Sequence, residues 1–407
     1  MRYLYLLLFL LTSISIHAQL MGFRIPNGQE KVEIPFEFQN NFIIIDLIFD
    51  DVFPLKFIFD TGSENTILVR KEFTDILDIS YDRQFKLIGA DQKQELTAYL
   101  VRGVNLVLPN IVGEGLDMLV LEKDYFRFEE FTGMKIHGIL GMDLFRTFTI
   151  QIDYKKKILS LYKIENFDVP SKKFQVIKAE VTRNKPYINA TAKINENTQT
   201  PIKLLLDTGA SLSLLLHNNS TDAIKLPEKL VPGRIGNGLG GLIEGFIGRI
   251  RLLSFDKFQF NGVITNFQEI ATDSLQVFKN NRNGILGNEI LSRFTIIFDL
   301  PRERIYLRPI RRYNKGFKFD KSGLTIITSG KDLENFIVKD IISNSPAHQA
   351  GIQKGDRIIN INFIPASFMS LQQITSILQK RNGKSIRLIV KRKGEKKVFR
   401  FKLKDLI

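Results

Sequence analysis

The chain has 407 residues, 44% hydrophobic and 25% charged, which suits two or three globular domains and excludes bulk disorder. Cysteine is absent and the four histidines (His17, His137, His217, His348) are scattered singly. Disulfides, Cys-ligated zinc, iron–sulfur clusters and a cysteine nucleophile are thereby excluded, and a Ser-His-Asp triad is poorly supplied. The net charge of +15 is uneven: residues 301–407 hold 24 Lys and Arg against 8 Asp and Glu, while residues 1–300 hold 34 against 35.

Residues 1–18 read as a secretion signal: Arg2, a short apolar run from Leu4 to Ile16, and a small residue, Ala18, before Gln19. The run is too short to span a bilayer, and no later stretch is long and apolar enough to do so. The expected location is beyond the inner membrane, periplasmic or extracellular. Without a cysteine after the signal, a lipid-anchored form is excluded.

Short alternating runs such as Phe42-Ile43-Ile44-Ile45-Asp46-Leu47-Ile48 follow, and they predict strands. Phe57-Ile58-Phe59-Asp60-Thr61-Gly62-Ser63 recurs 147 residues later as Leu204-Leu205-Leu206-Asp207-Thr208-Gly209-Ala210. Gly138-Ile139-Leu140-Gly141 recurs at an offset of 146 as Gly284-Ile285-Leu286-Gly287. Arg146 with Phe148-Thr149-Ile150 is echoed by Arg293-Phe294-Thr295-Ile296, and Ile152-Asp153-Tyr154 by Phe298-Asp299-Leu300. Four matched blocks in order define two lobes, residues 30–165 and 173–312, joined by the polar stretch 163–173. Leu87 to Asp91 and the glycine-rich Gly236 to Gly248 lie where hairpins could cover a cleft, although a plain surface loop fits the second nearly as well.

The setting of the repeated aspartate dictates its chemistry. An apolar triplet drives a strand into the core and delivers a carboxylate at its end, where burial is costly without hydrogen bonds. Thr supplies a hydroxyl to reach the other lobe, and Gly lets backbone amides approach. Two such carboxylates on a pseudo-twofold axis cannot both ionise, so one proton is shared. One then serves as base towards water and the other as acid towards a carbonyl.

These paired motifs resemble the aspartic proteases of the pepsin and retroviral type, over residues 30–312. The resemblance implies a mainly β, bilobal acid-protease barrel fold with pseudo-twofold symmetry, acting on protein or peptide substrates. It implies Asp60 and Asp207 as the catalytic dyad, supported by Thr61, Gly62, Thr208 and Gly209, with no metal and no organic cofactor. Both aspartates lie in one chain, so activity as a monomer is expected. Glu64 and Ser211 break the symmetry.

Beyond Arg312 the texture changes. Ser345-Pro346-Ala347-His348-Gln349-Ala350-Gly351 reads as a capped short helix, Lys354-Gly355-Asp356 as a turn, and Leu371, Ile374, Ile377 and Leu378 as a second helix. Residues 315–404 resemble bacterial PDZ domains, which implies a β-sandwich with two helices that binds a peptide C-terminus or strand. Ser322, Gly323, Leu324 and Thr325 are the candidate carboxylate loop, and His348 is expected on the surface. The alternation from Lys391 to Lys404 predicts a solvated strand face; an anionic envelope surface is the other reading, and nucleic acid is not expected. The alternative function is a catalytically silent peptide-binding scaffold built on the same lobes and PDZ module.

Overall fold

A computed structural model describes residues 22–26, 28–88, 95–195, 199–238, 241–270 and 282–407. The secretion segment, residues 89–91 of the first candidate lid and residues 239–240 of the second lie outside the described residues. The chain is mainly β, as its alternating runs predict, and each half forms a six-stranded barrel within an eight-stranded sheet.

In lobe one the sheet runs Glu37–Gln39, Phe42–Phe49, Phe53–Phe59, Gly138–Leu140, Ile67–Leu68, Ile111–Leu121, Glu95–Leu108, Tyr81–Ile88. Pairing of Phe42–Phe49 with Glu95–Leu108 closes the barrel. Lobe two repeats that order with Glu180–Thr182, Lys185–Lys193, Gln199–Asp207, Gly284–Gly287, Leu214–His217, Phe258–Gln268, Gly241–Phe255, Leu230–Gly238. Lys185–Lys193 closes on Gly241–Phe255. The last two strands of each sheet form antiparallel hairpins at the positions proposed for the lids.

A third sheet joins the lobes, in the order Lys31–Pro35, Ile158–Lys163, Phe148–Asp153, Phe294–Asp299, Arg304–Pro309, Gln175–Lys178. At its centre Ile150 faces Phe298 and Ile152 faces Ile296. With an offset of 146 that register maps onto itself, so the repeat is a true twofold relation in space. One apolar core runs continuously from Phe23 through Phe59 and Phe145 to Phe298 and Phe317.

Residues just outside the expected lobe bounds also pack on the lobes. Before residue 30, Phe23 and Ile25 are buried in the core of lobe one and Arg24 bridges to Val112. After residue 312, the Arg293 guanidinium of lobe two stacks 3.8 Å over the Phe317 ring and donates to the Tyr313 and Lys315 carbonyls.

The C-terminal module has its own core and a sheet ordered Leu324–Ser329, Asn335–Ile341, Arg357–Ile361, Ser385–Arg392, Glu395–Lys402. Ser345 caps the helix Pro346–Gln349, and Ser370 with Gln373 forms a capping box for Leu371–Leu378. The Asp356 carboxylate, fully buried, takes two 2.7 Å bonds from Arg392. His348 is exposed.

Candidate active site

Each repeated aspartate ends a strand whose three preceding side chains are at most 2% exposed. Phe57, Ile58 and Phe59 fix one strand end and Leu204, Leu205 and Leu206 the other, leaving Asp60 and Asp207 half-buried at the core's edge. Parallel pairing with Gly138–Leu140 and Gly284–Gly287 sets the depth of each loop. The Asp60 amide donates to the Leu140 carbonyl at 3.0 Å.

Two threonines tie the loops together across the twofold axis. The Thr61 hydroxyl donates to the Leu206 carbonyl at 2.8 Å and accepts the Thr208 amide at 3.1 Å. The Thr208 hydroxyl donates to the Phe59 carbonyl at 2.9 Å and accepts the Thr61 amide at 3.0 Å. Both threonines are fully buried, so these four bonds work in a low-dielectric setting where they hold geometry firmly.

The two carboxylates meet between the loops and share a hydrogen bond. The Gly62 amide donates to Asp60 Oδ1 at 2.7 Å and the Ala210 amide to Asp207 Oδ1 at 2.8 Å. Each glycine packs against the opposite aspartate. A Cβ on Gly62 would stand 2.5 Å from the Asp207 carboxyl carbon, and one on Gly209 would overlap the Asp60 carboxylate. Only glycine permits this approach.

Burial, then the Asp207 charge and hydrogen bond, push Asp60 well above the usual carboxylate range. Burial raises Asp207 too, but the bond to Asp60, the Ala210 amide and the Arg282 charge draw it back. Two carboxyls both pushed up in this way hold one proton between them. The arrangement can polarise a water with one carboxylate while donating a proton with the other.

Several further residues shape the site, and the Asp-Thr-Gly repeats do not point to them. Asp143 accepts the Thr66 amide at 3.0 Å and its hydroxyl at 2.8 Å, and Glu289 accepts the Ser213 hydroxyl in the other lobe. Each carboxylate braces the loop after its aspartate. The signal was present, since Thr66 and Ser213 are 147 apart and Asp143 and Glu289 are 146 apart. Lys185 and Arg282 add positive charge on the lobe-two side, felt by Asp60 and Asp207 respectively. Of the asymmetric pair, Glu64 lies 3.8 Å from Arg183, and the Ser211 carbonyl accepts Asn41 Nδ2 at 2.9 Å.

The family model for aspartyl proteases matches residues 45–144 and again 190–290, so both copies of the aspartate loop fall inside it. The two lobes are aspartyl protease domains. The PDZ domain model matches residues 337–392. No curated protein matches the chain.

The remaining expected site residues lie on the PDZ domain, apart from the aspartyl protease loops. In its loop the Ser322 and Gly323 amides donate to Asp320 Oδ1 at 2.9 and 2.7 Å, and the Leu324 amide donates to the Ser322 hydroxyl at 3.1 Å. Three amides expected to receive a peptide carboxylate thus already have acceptors, and burial pushes Asp320 up to about 6. Thr325 pairs within the sheet opposite Asp340.

Proposed function

We propose that this chain is an aspartic endopeptidase in which Asp60 and Asp207 activate water against a peptide carbonyl. The observation that carries the reading is the hydrogen-bonded carboxylate pair on the interlobe axis, cradled by glycine and threonine from both lobes. Asp207, which the Arg282 charge favours in its ionised form, takes a proton from water as it attacks. Asp60 gives its proton to the carbonyl oxygen. The roles reverse as the tetrahedral intermediate collapses and the amine leaves protonated.

Thr61, Gly62, Thr208 and Gly209 hold the two carboxylates in register and do not themselves transfer protons. Both aspartates belong to one chain, which favours activity as a monomer. Residues 1–18 support export, and among the described residues no helix is long and apolar enough to cross a membrane. The PDZ domain adds capture of a peptide along its edge strand Leu324–Ser329, and a peptide terminus at the Ser322–Thr325 loop would first have to displace Asp320 from the loop amides.

The test is digestion of a denatured protein by the purified chain across acidic to neutral pH. Asp60→Asn and Asp207→Asn should each lower turnover by at least about a thousandfold, because one carboxylate cannot serve as both acid and base. Substantial turnover in either variant refutes the assignment.

A further inference from the structure

The PDZ domain does not stand clear of the protease lobes. Its edge strand Leu324–Ser329 and its helix Leu371–Leu378 form the two walls along which such a domain takes up an added strand. A segment of lobe one sits against both. The Thr328 hydroxyl donates to the Glu129 carbonyl at 2.6 Å and to the Glu130 carbonyl at 3.2 Å. A Cβ on Gly133 would lie 3.4 Å from Leu371 Cβ and 3.4 Å from Thr328 Cγ2, so Gly133 is wedged between strand and helix. Lys135 approaches Asp332 at 3.9 Å beside it. Thr328, on an edge strand that would otherwise face water, is only 1% exposed. At the other end of the same strand, Asp320 takes the loop amides.

We propose that the PDZ groove is an internal docking site whose resident occupant is the lobe-one segment Arg127–Gly133, so that peptide uptake must displace this segment. The displacement reaches the strand that carries Asp60 through packed side chains. Phe128, on the docked segment, packs edge-on against Phe42 at 6.4 Å and belongs to one apolar cluster with Ile58 and Ile139. Ile58 lies two residues before Asp60, and Ile139 pairs beside it. The Thr132 carbonyl also accepts Asn40 Nδ2 at 2.6 Å, just before the strand Phe42–Phe49. A peptide in the groove and the docked lobe-one segment therefore compete, and the coupling is reciprocal. This holds whether or not the dyad turns over substrate.

The absence of cysteine permits a direct test on the full chain. Gly133→Cys with Leu371→Cys places two Cβ atoms about as far apart as a disulfide requires. Mild oxidation should convert most of the double variant to an internally cross-linked monomer that reduction reverses. A folded double variant that stays reduced overturns the proposal. Gly133 has φ +68°, so folding of the variants is checked by thermal melting. Should the double variant not fold, hydrogen exchange on Thr328→Val decides. Amides across residues 127–134 should exchange about tenfold faster than in wild type, while those of Phe148–Asp153 stay protected. Unchanged exchange across 127–134 overturns it.

Discussion

At the scale of single residues, the site is governed by the proton that two buried carboxyls share. Asp60 keeps its proton in the folded chain to a higher pH than in the unfolded chain, chiefly because it is buried beside Asp207. The folded state therefore binds more protons over that interval, and stability falls as pH rises through it. Asp60→Asn removes the fall. The variant should gain melting temperature relative to wild type between acid and neutral pH, and a constant difference across that range would contradict the burial argument. Arg282 acts in the opposite sense, because its charge holds Asp207 down. Arg282→Gln should move the acid limb of the kcat/KM profile to higher pH, and an unmoved limb would show that the charge is not felt at the pair. The aspartates were legible because Asp-Thr-Gly appears twice after apolar triplets. Arg282 was not, since its lobe-one counterpart is Ile136 and symmetry gives no hint of a cation there.

Among elements, the aspartate loops depend on bonds that cross the twofold axis. Thr208→Val removes a hydroxyl that donates to the Phe59 carbonyl and accepts the Thr61 amide, leaving both unpaired in a dry setting. The expected cost is about 2 kcal/mol of unfolding free energy, measured by denaturant melting, together with loss of activity as the loops part. In the PDZ domain, Arg392→Ala strands the buried Asp356 carboxylate and should cost about 3 kcal/mol or more. Strands and caps were readable from local patterns: Ser345 before Pro346, Ser370 before Gln373, alternation from Lys391 onward. The partners of these elements were not. Docking of Arg127–Gly133 on Thr328 joins residues about 200 apart, and no local periodicity encodes such a contact.

For the whole molecule, the lobes share one core and one six-stranded sheet. The matched blocks around Phe148 and Phe294 announced a repeat, but their meeting in a single sheet required register that only the fold supplies. Lobe one alone would expose the edge of Phe148–Asp153, including the buried Ile150 and Ile152. Residues 22–165 expressed alone should therefore self-associate through that edge, and a stable monomer on size-exclusion chromatography would contradict it. A chain ending at Tyr313 loses the Lys315 carbonyl and the Phe317 ring from Arg293. It should melt lower than one ending after Phe317, before any contribution from the PDZ domain. The shared carboxylate pair is tested most directly by calorimetry with a hydroxyl-bearing peptide analogue of the tetrahedral intermediate. The full chain should bind one analogue per molecule, and either Asp60→Asn or Asp207→Asn should weaken binding by at least about a hundredfold. Equal affinity in wild type and either variant would contradict a site built on both carboxylates.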